Sequence, residues 1–496
     1  MTNKTCTIAL DIGTTSLKAV AYLADASQLS SRSMLVETDR DGNGKAIQDP
    51  KAIYESVMKA LAEVCEDTRK KGYRIAAIGF SAAMHSLIPI ASDNTPLFPA
   101  MTWLDARSHE EAQALWSNEL GKDIYEHTGT PIHAMAPVTK IAWFRKHHPA
   151  AFEQTRRYAS IKEYVWFRWF GEWEIDEAMA SATGLYELST GDWYEPALSY
   201  AGIRADQLSK PVATNYTRTN PTEKRFAEMG IEPSVPFCIG ASDGVLASLA
   251  ANAIERDTMV LTIGTSLALR TGFHQPTTDA DTRYFCYVVD SDHYIVGGPS
   301  NSGGVVLDWL YRNVFTESGE DFERRFPALC EVAGRVDVGN LMCIPYVSGE
   351  RAPLWDESAT ASFVGLHAEH EQAHLMRAAI EGILFNAYWI AQRLMKQLGE
   401  PKKIIASGKL FQQAWVRQFT ADLFGIDIYG QEEVDGATLG AVMMANAAAG
   451  LEPIRSADTR DDITHPNVTE QQYLLKKFSR YQTLCQKLLD ADPETF

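Results

Sequence analysis

Asp11, Thr14, Thr15, Ser16 and Lys18 crowd into one short stretch, ALDIGTTSLKA. Small residues in a tight strand–turn–strand expose backbone N–H groups. The hydroxyls of Thr14, Thr15 and Ser16 add donors, so phosphate oxygens can be gripped without large positive charge. Lys18 would supply one local cation. Asp11, closing an apolar strand, suits a hydrated Mg²⁺, which prefers oxygen ligands and keeps its waters. The plain alternative is an ordinary hairpin with turn residues. A second stretch, VLTIGTSLALR, repeats the pattern. Gly13 aligns with Gly264, Thr14 with Thr265 and Thr15 with Ser266, at a spacing of 251 residues. The same ungapped alignment sets Asp11 against Thr262 and Lys18 against Leu269, so the copies differ where chemistry would differ.

Three further segments hold candidate chemistry. IGASDGVLASLAANAI puts Asp243 at the start of an apolar helix. An Asp there commonly caps the helix. As a general base it would be kept ionised by the helix dipole, and its flanking glycines would admit a substrate. HEQAH (370–374) matches the HExxH zinc-protease pattern. It sits in the polar run HAEHEQAH with no third ligand following at a protease spacing, and reads as a solvated helix start. NSGG (301–304) leads into VVLDWL, and a glycine-rich turn into a helix can seat a phosphate or merely reverse the chain.

These residues must be positioned by α/β elements. Residues 5–24 and 258–271 each read as strand, polar turn, strand. RIAAIGF (74–80) and KKIIASG (402–408) form a fainter echo, each after a helical stretch. Self-similarity half a chain apart predicts two similar α/β domains, 1–254 and 255–496. Pro50–Lys71 is expected as a helix with Ile53, Val57, Ala60, Leu61 and Val64 on one face, and Gly244–Ile254 as a buried helix. Residues 469–489 are expected as an amphipathic terminal helix, with Thr469 and Gln472 as its capping box. Proline-rich 206–237 reads as an irregular connector.

Composition narrows the partners. With 46 Lys plus Arg against 64 Asp plus Glu, the formal charge is −18. Such a chain repels nucleic acid and anionic lipid, and no run of five basic residues offsets this. No apolar stretch is long enough to span a membrane, and the start lacks a charged-then-apolar leader. Seven scattered cysteines without a CxxC pair fit reduced thiols in the cytoplasm.

DIGTTSLKA, GASDG, TIGTS and NSGG, in that order, resemble the FGGY family of carbohydrate kinases. MAPVTKIAWFRKH (135–147) and ASFVGLHAEHEQAHLMRAAIE (361–381) are similar to its two signatures, the second containing the HEQAH run. The resemblance implies the actin–hexokinase (ribonuclease H-like) superfold, with two duplicated domains around a cleft. It implies ATP and Mg²⁺, with Asp243 as catalytic base and Asp11 and Asp243 near the metal. Gly13, Thr14, Thr15 and Lys18 would form the first phosphate loop, and Gly264 and Thr265 the second. Gly303 and Gly304 would lie near the nucleotide phosphates and Gly408 at the adenine pocket. There Lys409 and Gln413 replace the small residues usual in the family. FSAAMHSL and TWLDARS look like the sugar-binding strand and loop. Together with TGTPIHAM, SIKEYVWFRWFGEW and SATGLY they are most similar to the family's gluconate kinases. The substrate candidates are Met84, His85, Trp103, Asp105, Arg107, His133 and Lys162. A small sugar acid phosphorylated on a primary hydroxyl is the expected substrate, a xylulose or other polyol kinase the alternative, and a non-catalytic sugar sensor the more distant one. A homodimer is the one oligomer entertained.

Overall fold

The computed structural model describes residues 4–315, 322–430, 435–454 and 463–490. Two mixed sheets form around two apolar repeats. In the first, β1 (Thr5–Ile12) pairs antiparallel with β2 (Ser16–Tyr22), and β2 with β3 (Gln28–Leu35). On its other side β1 pairs parallel with β4 (Arg74–Ala82), and β4 with β5 (Phe237–Ser242). The second sheet repeats this order and these directions. β6 (Thr258–Ile263) pairs antiparallel with β7 (Leu267–Phe273), and β7 with β8 (Tyr294–Ser300). β6 then pairs parallel with β9 (Lys403–Ser407), and β9 with β10 (Asp427–Gly430). The faint echo at 74–80 and 402–408 thus occupies equivalent strands, and the duplicated α/β architecture expected from the hairpins is present.

The pairing also corrects the ungapped alignment. Asp11 stands opposite Lys18, but Thr262 stands opposite Ala268, because the second turn is one residue shorter. Ala268, not Leu269, is the counterpart of Lys18. A cross-strand pair does survive in altered form: Asp11 accepts from Ser81 Oγ at 2.7 Å, and Thr262 Oγ1 meets Ser407 Oγ at 3.1 Å.

Helices cover the sheets. α1 (Pro50–Lys70) is capped by Asp49, which accepts from Lys51 N–H at 2.9 Å, a contact of about 1 kcal/mol. Its buried face is the predicted one. α2 (Asp243–Ala250) stops before the predicted Ile254. Further along come α3 (Gly304–Asn313), the buried α4 (Gln372–Leu398), α5 (Gly436–Ala448) and α6 (Val468–Leu489). Although late in the chain, α5 packs on α2 and on the first sheet, through Leu439, Ala441, Val442 and Ala445. Gly440 permits this, since a Cβ there would lie 2.0 Å from Leu246 O.

Two caps differ from expectation. Asn467, not Thr469, caps α6, accepting from Thr469 N–H at 2.9 Å, so the predicted capping box is not the one formed. Asn lies among the strongest N-cap residues, ahead of Thr. In the HEQAH run, His370 precedes α4 rather than lying on it, and Glu371 caps the helix with His374. Nδ1 of His370 and of His374 accepts the backbone N–H of His367 and Glu371 respectively. The run is a helix start. Residues 206–237 hold only short pieces, Lys210–Val212, Thr217–Arg218 and Arg225–Glu228.

Candidate active site

β1, β4 and α2 bring acidic groups to one point. Asp11 ends β1 beside Ser81 of β4, and Asp243 is the first residue of α2. Ser242 is the cap of α2, its Oγ accepting from Val245 N–H. Asp243 therefore does not cap the helix; its Oδ1 accepts only the adjacent Gly244 N–H, at 2.6 Å. The capping alternative is thereby answered, and a second carboxylate oxygen is left for other chemistry. Burial pushes Asp243 above the usual carboxylate range, with the Arg270 guanidinium opposing. Asp11 is pushed to about 7, first by burial and then by Asp243 and Asp435, with Ser81 and Lys18 opposing. A buried carboxylate raised further by two acidic neighbours marks a site short of positive charge, which suits a hydrated divalent cation.

Lys18 reaches Asp435, the N-cap of α5, at 2.8 Å. Tyr22 and Thr438 are joined at 2.8 Å beside it. The candidate phosphate cation is thus half-exposed and already tied to the helix that packs on α2 and the first sheet.

The hairpin tips are built alike. Gly13 N–H donates to Ser16 O at 3.0 Å and Gly264 N–H to Ser266 O at 2.9 Å. Among the described residues, no protein acceptor takes the N–H of Thr14, Thr15 or Thr265. The N–H groups of Gly304 and Val305 are used on Gly264 O and Thr265 O, at 2.7 and 3.0 Å. The NSGG turn therefore docks the second hairpin instead of presenting these groups to phosphate. Only glycine fits: a Cβ on Gly303 would lie 2.7 Å from Ser266 C, and on Gly304 2.8 Å from Gly264 O. Gly264, Thr265, Gly304 and Gly408 line a cavity of about 400 Å³ with Leu307, Phe326 and Leu410. Gly408 has φ +113°, and a Cβ there would meet Ile263 O, so this position too requires glycine. Lys409, the departure from the family pattern, forms an ion pair with Glu323 on this cavity's lining. A larger cavity of about 1060 Å³ lies around Leu35–Asp39, Ile47–Ile53 and Pro96–Pro99. Neither Asp11 nor Asp243 lines it.

The predicted substrate residues divide into two groups. His85, Trp103, His133 and Met84 gather where the two sheets meet. His85 is buried at φ +66°, a conformation rare for a non-glycine residue, and its Nδ1 lies 2.8 Å from Ala182 O. Its Nε2 is 3.5 Å from Tyr287 OH. Burial lowers His85 to about 3, with Lys140 and Arg351 adding to the effect, so the ring is neutral at physiological pH. Trp103 Nε1 donates to Thr14 Oγ1 at 2.8 Å, joining the sugar loop to the phosphate loop. His133 accepts from Met135 N–H at Nδ1, and its Nε2 is 3.1 Å from Glu357. Met84 packs between two hydrophobic clusters.

Asp105, Arg107 and Lys162 are used elsewhere. Asp105 is 2% exposed and binds Arg107 through both oxygens, at 2.6 and 2.9 Å, and the Ala46 N–H. Arg107 lies over the Trp143 ring at 4.3 Å. Lys162, also 2% exposed, donates to Asp176 at 2.7 Å and Ala241 O at 2.9 Å. Asp105 and Arg107 thus pair with each other, and Lys162 ties the helix Ile161–Phe170 to Asp176 and Ala241.

Sequence reasoning missed two arginines. Arg270 on β7 faces Asp243, and a Cβ on Gly244 would lie 3.1 Å from its Nε. Arg351 follows the buried Glu350 and lies 5.2 Å from the Trp103 ring. It donates to Asn301 Oδ1 at 2.8 Å and Ser300 O at 3.2 Å. Burial lowers it to about 10, so it stays charged. A charged residue inside the apolar runs LALRTG and MCIPYVSGERAPLW was the available signal. Lys140 lies within the segment MAPVTKIAWFRKH. It holds the two sugar segments together, donating to His85 O at 2.7 Å and Thr102 O at 2.6 Å.

Comparison with known proteins adds to this geometry. Residues 6–250 match the model of the FGGY family of carbohydrate kinases, N-terminal domain, and residues 259–449 that of its C-terminal domain. A gluconokinase of Bacillus subtilis is 38% identical over 89% of this chain and 87% of its own length. The crystal structure of a gluconate kinase from Lactobacillus acidophilus has a TM-score of 0.90 at 33% identity, covering 99% of this chain and 100% of the other. A ligand-bound xylulose kinase structure from the same organism has a TM-score of 0.91, also at 33% identity and with the same coverage.

Proposed function

This chain belongs to the FGGY family of carbohydrate kinases, and from that premise we propose that it phosphorylates D-gluconate on its primary hydroxyl, giving 6-phospho-D-gluconate. ATP supplies the phosphoryl group. Whole-length similarity to gluconokinases supports the substrate. The observation that carries it is Arg351: a buried, charged guanidinium beside Trp103, with His85 and His133 in its field. Its contacts to Asn301, Ser300 and, at 4.0 Å, the Met135 sulfur use three of the five N–H groups a guanidinium carries. The rest suit a carboxylate, which a guanidinium holds through two parallel bonds. Xylulose, the alternative substrate, has no carboxylate to place there.

In this reading the substrate runs from Arg351 past Tyr287 and Arg270 to Asp243, groups that lie within each other's electrostatic reach. Asp243 takes the proton from the terminal hydroxyl as that oxygen attacks the γ-phosphorus and the bond to ADP breaks. Its raised basicity suits this task, and the nearby Arg270 charge offsets part of the effect of burial. The N–H groups of Thr14, Thr15 and Thr265 receive the phosphate oxygens from both sides. Asp11, with Asp243 and Asp435 near it, would hold Mg²⁺, which supplies charge neutralisation on the phosphates. The lobes 1–254 and 255–496 would close around the ligands and exclude water, with α5 travelling with the first sheet. Cytoplasmic work fits seven buried, unpaired cysteines.

Asp243→Asn tests the assignment. Gluconate binding measured by calorimetry should change less than about threefold, while ADP release falls by at least about 10²-fold, the lower end of what a general base contributes. Near-normal turnover in this variant would remove Asp243 from the mechanism.

A further inference from the structure

Away from the cleft, where α2 passes into the second sheet, three side chains from separate segments converge. Glu255 lies between α2 and β6, His274 just after β7, and His293 just before β8. His274 Nε2 is 3.0 Å from one Glu255 oxygen, and His293 Nε2 is 3.7 Å from the other. The three prospective ligand atoms all lie within 4.8 Å of one another.

The opposite ring nitrogens decide what this cluster can hold. His293 Nδ1 is 2.8 Å from an Asp290 carboxylate oxygen, and His274 Nδ1 is 3.2 Å from the Asp292 carbonyl. Both oxygens are acceptors, so each Nδ1 donates outward, and each Nε2 is left facing the Glu255 carboxylate. Nδ1–H donation to a carboxylate or carbonyl is also the usual outer support of a metal-bound histidine.

We propose that Glu255, His274 and His293 form a binding site for a divalent transition metal, of which Zn²⁺ is the representative. Two imidazoles and a carboxylate suit such an ion, and solvent completes its coordination at this half-exposed position. The site is separate from the catalytic carboxylates and does not depend on the substrate assignment. It is a clamp: it joins the exit of α2, the helix that begins with Asp243, to the neighbouring strands β7 and β8 of the second sheet. Backbone packing already brings these parts together, since a Cβ on Gly272 would lie 1.9 Å from Ile254 O.

The test is zinc titration of the full-length, chelator-stripped protein by calorimetry in excess Mg²⁺, with thermal unfolding followed in parallel. One tight equivalent is expected, with Tm rising by a few degrees on saturation. His274→Ala combined with His293→Ala should abolish that equivalent, and Asp290→Asn should weaken it about 10-fold or more. His370→Ala, in the exposed histidine run before α4, should leave it intact. Absence of a tight equivalent in the wild type, or its survival in the double variant, would overturn the proposal.

Discussion

Replacing Arg351 with Gln is the sharpest perturbation of substrate choice. The guanidinium is 8% exposed and remains charged, so a carboxylate paired with it is largely shielded from water. A hydrogen bond to a charged group contributes about 1.5–3 kcal/mol net, and truncating one partner of a buried charge pair costs about 2–5 kcal/mol. Two such bonds, partly replaced by the Gln amide, give a loss of about 3 kcal/mol. That is roughly a 100-fold weaker gluconate complex, since 1.4 kcal/mol is about tenfold. The fold should tolerate the change. Glu350, the buried neighbour, keeps Ser300, Ser302 and the N–H groups of Asn301 and Arg351 as partners. Calorimetry should compare gluconate with glucitol, in which the carboxylate becomes a neutral CH₂OH. The preference for gluconate should collapse in Arg351→Gln, and Arg351→Lys should retain part of it, keeping charge without the planar fork. Equal losses for both ligands would refute carboxylate recognition by Arg351, as would an unchanged gluconate complex.

Two other outcomes follow from buried groups. His85 has its folded pKa depressed to about 3 against about 6.5 unfolded, so the unfolded chain binds the extra proton between those values and stability rises with pH across that window. His85→Asn, which tolerates the positive φ, should reduce the slope of unfolding free energy against pH there by up to about 1.4 kcal/mol per unit; an unchanged slope in ligand-free protein would show that the ring is not held neutral. Lys162→Met leaves Asp176 buried without its cation and should destabilise the chain by about 3–5 kcal/mol. Denaturant unfolding reads that loss, and the gluconate Kd of the folded variant should stay within about twofold, whereas a large Kd change would return Lys162 to the substrate site.

The sequence carried the duplication because a glycine-and-hydroxyl turn between apolar strands is a local pattern, and Gly13 and Gly264 sit on equivalent tips. It misjudged the second-copy counterpart of Lys18, because a turn shorter by one residue shifts the register without altering the motif. Asp11 and Asp243 were legible as short-range chemistry at the ends of apolar elements. Asp105, Arg107 and Lys162 stand beside other candidate residues in sequence, yet their heads point to partners such as Trp143 and Asp176. Spacing does not encode that direction. Arg351 and Arg270 reach the site only through the meeting of the two sheets, a long-range consequence of packing. The NSGG turn was readable as a phosphate seat, but the N–H groups of Gly304 and Val305 at its end go to the second hairpin, a contact fixed by tertiary docking.

The account stands most directly on one measurement: ADP release by the wild-type enzyme, with ATP and Mg²⁺, across gluconate, xylulose, glycerol, ribulose and fuculose at matched concentrations. Gluconate should give the highest kcat/KM by at least about tenfold, the smallest margin that a carboxylate contact of about 1.4 kcal/mol would produce. A higher kcat/KM for xylulose or another neutral sugar would contradict the substrate assignment, and no release with any of the five would contradict it as a kinase of this substrate class.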